Sequence, residues 1–187
     1  MKTRWSWLLL FHIATGAWAQ DELLEWNPFY RLSWSDFSGK PNTESHADAA
    51  SVVRIVAKPF RFGGRLHSDV RAYFNRTKSW RRDVSDKLLA HEQLHFDIAE
   101  LYARKIRKRI DELMALGVRD PERIQREVTK LLEESNGVDT RYDAETLHGA
   151  MRESQQRWSD AIEKRLLETR RWSRKRKVIR LGPGRGT

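Results

Sequence analysis

The chain has 187 residues, with 36 Lys+Arg against 26 Asp+Glu for a formal charge of +10, and 39% of its residues are hydrophobic. That length fits one domain, or at most two small ones. Charged residues make up 33%, yet aromatic and branched aliphatic residues recur throughout, which argues against wholesale disorder and a multi-span membrane protein and favours a packed soluble domain.

At the N-terminus, Lys2 and Arg4 precede a mostly apolar stretch from Trp5 to Ile13, followed by small residues ending in Ala17-Trp18-Ala19. This is the pattern of a secretory signal with an A-x-A cleavage site, so residues 1–19 are read as a signal peptide and Gln20 as the mature N-terminus. The apolar run falls short of the roughly 20 residues that a membrane span needs. The mature chain is expected to be exported, to the periplasm or beyond. It has no cysteine, so its stability must come from its core and from any bound metal.

The half from Glu25 to Trp80 reads as β-rich. Trp34 and Phe37 lie in a short aromatic stretch closed by the turn residues Ser38-Gly39-Lys40-Pro41-Asn42. The β-branched run Ala50 to Ala57 is expected to stop at Pro59, and Gly63-Gly64 to turn the chain into Val70–Phe74, where apolar residues alternate. About three strands fit. The Val70–Phe74 strand is expected to offer an edge to which an extended peptide can pair.

After Trp80 the apolar period changes. Val84, Leu88, His91, His95, Ile98, Tyr102 and Ile106 recur at three- and four-residue spacings, predicting one long helix from about Asp83 to Leu116, ended by Gly117. Asp120-Pro121 opens a shorter helix that Asn136-Gly137 is expected to close. A polar loop, Val138 to Gly149, then leads to a last helix whose face carries Met151, Gln155, Trp158, Ile162 and Leu166. Strands placed before helices indicate an α+β domain: a small β-sheet, the long helix and two further helices.

The long helix carries His91-Glu92-Gln93-Leu94-His95, an H-E-x-x-H pattern that composition alone would produce only about 0.014 times. At 3.6 residues per turn, His91 and His95 stand one turn apart on one face and can converge on a single cation. Glu92 is displaced enough to miss the cation while reaching a water upon it, the place of a general base.

Helix geometry excludes the nearest candidates for a third ligand. Relative to His91, Asp97 is rotated by about 240° and Glu100 by about 180°. His46 and His67 belong to turns of the β-rich half, where a solvated imidazole is the ordinary outcome. His148 lies in Tyr142-Asp143-Ala144-Glu145-Thr146-Leu147-His148-Gly149, a segment able to fold back onto the long helix, with Asp143 and Glu145 as rival oxygen ligands. Tyr142 is a candidate for hydrogen-bonding an oxyanion.

The order of these two motifs, after a signal peptide and a short β region, resembles a bacterial family described as predicted secreted zinc-dependent proteases, a domain of unknown function. The resemblance spans roughly Trp26 to Trp158. It implies that His91 and His95 hold Zn2+, that Glu92 is the base, and that His148 is the third zinc ligand.

From Lys164 to Thr187 stand ten Lys/Arg and one acid, so almost all of the excess charge sits there and the preceding chain is nearly neutral. Three regions follow: 1–19 signal peptide, 20–163 zincin-like metallopeptidase domain and 164–187 basic extension, expected to be mobile after about Trp172. Charge confined to the extension disfavours nucleic acid as a partner and suggests an anionic envelope polymer or membrane surface. The function expected is hydrolysis of peptide bonds in a peptide or protein substrate. The competing reading is a zinc-stabilised, non-catalytic binding module of the cell envelope.

Overall fold

A computed structural model describes residues 22–62, 65–173 and 176–178. The expected signal peptide, residues 1–19, and the turn expected at Gly63-Gly64 therefore lie outside the described residues. The fold is α+β: among the described residues, five antiparallel strands precede three helices and a sixth strand follows them. The strands are β1 (Leu23–Glu25), β2 (Ala49–Ala50), β3 (Val53–Phe62), β4 (Arg65–Asn75), β5 (Trp80–Arg81) and β6 (Arg176–Val178). The helices are α1 (Asp86–Ala115), α2 (Pro121–Thr146) and α3 (Arg152–Glu168). Among the described residues, no helix is long and apolar enough to cross a membrane.

In the main sheet β4 is the central strand. It pairs with β3 along its whole length on one side, and on the other with β1 at Tyr73–Asn75 and β6 at His67–Asp69. Its alternation is clean: Val70, Ala72 and Phe74 are fully buried against α1, while Arg71 turns to the opposite face and grips Asp69 and Glu25. The central position corrects two expectations. Val70–Phe74 has β3 on one side; on the other, β1 pairs with Tyr73 and Phe74, the Trp26 N–H bonds the Ala72 carbonyl and Arg107 bonds the Val70 carbonyl, so the strand offers no free edge to a peptide. The run before Pro59 does not stop there, because β3 is an edge strand, where a residue without an N–H costs the ladder nothing.

Helix α1 begins with Ser85, whose Oγ accepts from the Leu88 N–H at 3.2 Å, and ends at Gly117 in the left-handed region. These bounds lie within three residues of those predicted. Every residue from His91 to Arg104 is buried, because α1 is covered on two sides. Phe96, Ala99, Ala103 and Ile106 face the sheet, whereas Leu94, Ile98, Leu101 and Tyr102 face Val138, Tyr142 and Ile162 of α2 and α3. The two carboxylates that geometry rejected as ligands are occupied elsewhere. Asp97 accepts from Trp26, Gln93 and Arg31, and the fully buried Glu100 pairs with Arg104 and Arg107. Arg107 also donates to the carbonyls of Val70 and Trp172, which ties the sheet and the C-terminal segment to the central helix.

Helix α2 differs from expectation in the way that matters most. It does not close at Asn136-Gly137, and Val138–Gly149 is not a loop; the helix continues to Thr146. The buried positions Ile124, Val128, Ser135, Val138, Tyr142 and Thr146 carry an uninterrupted helical stripe past Gly137. A helical glycine costs about 1 kcal/mol, less than burying the last two turns of that stripe returns. Contacts from Arg109–Glu127 through Tyr102–Glu134 to His95–Asp139 show α2 running antiparallel to α1.

The basic segment is not detached at its start. Lys164 lies inside α3, Trp172 is buried with its indole N–H on Asp111, and Arg176–Val178 pair with β4. The expectation of a mobile chain immediately after Trp172 is corrected by that pairing. The remaining tail residues lie outside the described set.

Candidate metal centre

Antiparallel packing of α1 and α2 sets two i,i+4 pairs face to face: His91 and His95 on α1, Asp139 and Asp143 on α2. His91 Nε2 and His95 Nε2 are 3.1 Å apart, and Asp143 Oδ1 lies 3.1 Å from the first and 3.0 Å from the second. Three donor atoms thus form a nearly equilateral triangle. A tetrahedral cation with nitrogen and oxygen ligands at about 2.05 Å separates them by about 3.3 Å, so the observed edges fit with a relaxation of a few tenths of an ångström.

The outer ring nitrogens support the same orientation. His95 Nδ1 lies 2.7 Å from Asp139 Oδ1 and His91 Nδ1 lies 3.3 Å from Gln155 Oε1, leaving both Nε2 atoms directed inward. Metal-bound histidines are characteristically held in this way, through an acceptor on the other nitrogen. Electrostatics agrees. Burial opposes charge on His95, yet its contacts with Asp139 and Asp143 push its pKa up to about 10, and Asp143, despite its own burial, is held well below the usual carboxylate range by the two imidazoles. The carboxylates of Asp139 and Asp143 thus favour positive charge at the imidazole they face, the electrostatic condition a cation site requires.

The triangle forms the floor of an open cavity of about 560 Å3. One wall is α1 with Lys87, Leu88 and Glu92; a second is the turn Leu147–Gly149; the third is the segment His46–Ser51, which contains β2. Glu92 is buried, and Ser51 Oγ donates to its Oε2. Among the described residues no hydrogen bond is made to Glu92 Oε1.

The turn after α2 is unusual. Leu147, His148 and Gly149 have φ of 47°, 52° and 84°, three consecutive left-handed residues. Gly149 is required on two counts, since a Cβ there would also meet His91 Cβ at 2.9 Å. The turn brings His148 Nδ1 to 3.5 Å from Asp143 Oδ1. His91, Asp143 and His148 form a group that can hold a metal ion, their ligand atoms lying within 4.8 Å of one another.

The residues singled out from sequence thus divide. His91, His95, Glu92, His148 and Asp143 meet at one cavity, and Asp143, named only as a rival ligand, sits closest to both imidazoles. His46 lies on the rim, exposed; His67 lies in β4 opposite Phe60 and Val178. Glu145 faces away and accepts from Trp158 Nε1 at 2.8 Å.

Tyr142 is corrected: it does not face the cavity. Its phenol is fully buried and donates to Gln155 Oε1 at 2.8 Å and to the carbonyl of His91 at 3.2 Å, while its ring stacks on that of His91 at 4.6 Å. Burial holds the phenol above its ordinary pKa. The side chain buttresses His91 and has no access to an oxyanion. Asp139, Gln155 and Ser51 were not identified as site residues from sequence. The signal for Asp139 was its i,i+4 spacing from Asp143, and that for Gln155 its place as a polar residue on the apolar stripe of α3.

Residues 65–149 match a family model described as a bacterial protein of unknown function (DUF922), a segment that includes β4, α1, α2 and the turn carrying His148. No curated protein and no solved structure matches the chain. The matched segment is therefore similar to that bacterial family and contains five of the residues that meet at the cavity: His91, Glu92, His95, Asp143 and His148.

Proposed function

We propose that the chain is an exported zinc metallopeptidase in which His91, His95 and Asp143 hold Zn2+ and Glu92 is the general base. The observation that carries this reading is the triangle of three donors, 3.0 to 3.1 Å on each edge, on the floor of an open cavity with a carboxylate beside it. Two histidines and a carboxylate with an open face are a donor set characteristic of catalytic zinc. Zinc bound there supplies Lewis acidity towards the scissile carbonyl and lowers the pKa of water. Ser51 holds one oxygen of Glu92, and the other would take a proton from the attacking water and pass it to the leaving amine. Asp139 and Gln155 keep the imidazoles oriented.

A polypeptide substrate is supported by β2. Ala49–Ala50 pairs with β5 on one side and lines the cavity, so this strand replaces β4 as the edge along which an extended peptide lies. The positive charge after Lys164 is proposed to favour an anionic envelope polymer or membrane surface as the setting of the reaction.

One observation favours the second reading, a zinc-stabilised module without turnover. His148 Nδ1 lies 3.5 Å from Asp143 Oδ1, so its imidazole is near enough to be drawn in as a fourth protein ligand, as in structural zinc sites. Glu92→Gln separates the two. In a peptidase, zinc content is kept and hydrolysis of a peptide falls by at least about 100-fold. Wild-type protein that carries zinc and hydrolyses none of a broad peptide library would favour the module.

A further inference from the structure

The histidines around Asp143 are not built alike. The side chains of His91 and His95 are 2% and 10% exposed, and each has its outer nitrogen held by a second residue. The imidazole of His148 is 71% exposed, and no hydrogen bond is made to its ring among the described residues. Its backbone is also the least relaxed near the site. Leu147 and His148 adopt a left-handed conformation that L-residues avoid, held by the bonds from His148 N–H to the Asp143 carbonyl and from Met151 N–H to the Thr146 carbonyl. The strained turn delivers one unanchored imidazole to the cavity, beside Asp143.

We propose that His148 is an exchangeable fourth ligand, which closes the cation site in the resting protein and gives up its place when substrate enters the cavity. This rests on the metal-centre reading above and extends it. The distance of 3.5 Å to Asp143 Oδ1 is close to the edge of about 3.3 Å expected between ligands of one tetrahedral ion. The ligand atoms of His91, Asp143 and His148 lie within 4.8 Å of one another, a group without His95, and rotation of the exposed His148 side chain would have to bring it onto the ion that His95 shares. What makes the ligand removable is the absence of the anchors that His91 and His95 possess. An imidazole held by no second residue loses rotamer freedom each time it binds, which weakens its coordination relative to theirs. A site of this kind is closed towards weak solutes and open to a substrate that also gains contacts along β2.

The test uses Co2+ in place of zinc and azide as the exogenous ligand, followed through the visible absorption of Co2+. Wild type and His148→Ala should each bind about one Co2+ per chain. Azide should bind the variant at least ~10-fold more tightly, because in the wild type the competent state is only the fraction with His148 displaced. His148→Gln, which keeps the bulk of the side chain, should behave as the alanine variant does. Loss of most of the Co2+ from both variants would make His148 a permanent ligand and overturn the proposal; equal azide affinities in all three proteins would make it a bystander and overturn it too. Failure of the wild type itself to bind Co2+ would instead bring down the metal centre on which the proposal stands.

Discussion

Adding one methyl group at Gly149 tests whether the turn after α2 is fitted to the metal centre. Gly149→Ala has two costs. Its φ of 84° is a left-handed conformation that penalises any L-residue by about 1–2 kcal/mol, and its new Cβ would stand 2.9 Å from His91 Cβ, inside contact distance, where overpacking of a buried side chain costs about 1–3 kcal/mol more. Gly117→Ala provides the control. Its φ is 78°, but a Cβ there meets nothing within 4 Å, so it bears the backbone cost alone. Urea denaturation of the metal-free proteins should therefore show Gly149→Ala less stable than Gly117→Ala by about 1–3 kcal/mol. Zinc affinity measured by chelator competition should fall in the Gly149 variant only, because the strain is relieved by moving His91. Equal destabilisation in the two variants, with zinc affinity unchanged in both, would refute the packing of this turn against the ligand.

Further expectations concern the groups around the donors. Asp139→Ala removes the acceptor on His95 Nδ1 and should weaken zinc binding about 10- to 100-fold without abolishing it, read by competition with a chelator; unchanged affinity would mean that Asp139 does not orient the ring. The pH dependence of the metal-free protein has a definite sign. The His95 pKa is raised from 6.5 in the unfolded chain to about 10 in the folded one, so its stabilisation is complete below pH 6.5 and is lost as pH rises through about 10. The thermal midpoint without metal should decline across that window more steeply in the wild type than in His95→Gln, and identical slopes would contradict the ion pairing with Asp139 and Asp143.

What was legible in the sequence was what periodicity and spacing encode directly. The H-E-x-x-H pair sits on a helix whose apolar stripe runs unbroken for about eight turns, so its bounds, its burial and the exclusion of Asp97 and Glu100 all followed. What failed was the reading of local breakers against tertiary context. Gly137 looks like a helix stop, yet Val138, Tyr142 and Thr146 continue the stripe, and that continuation turns a supposed loop into the helix face bearing Asp139 and Asp143. Pro59 looks like a strand stop, but an edge strand tolerates it. Tyr142 illustrates a different limit: sequence placed it beside the motif but could not say which way the phenol turns, and burial against Gln155 decided that. Position along a motif gives neighbourhood; side-chain direction depends on which helix packs behind it.

The measurement that bears most directly on the proposed zinc centre is the metal content of the purified protein by elemental analysis, in the wild type, Asp143→Ala and His148→Ala. Coordination by His91, His95 and Asp143 predicts about one zinc per chain in the wild type, close to one in His148→Ala and little in Asp143→Ala. A wild type without zinc, or an Asp143→Ala variant that retains it in full, would contradict the account.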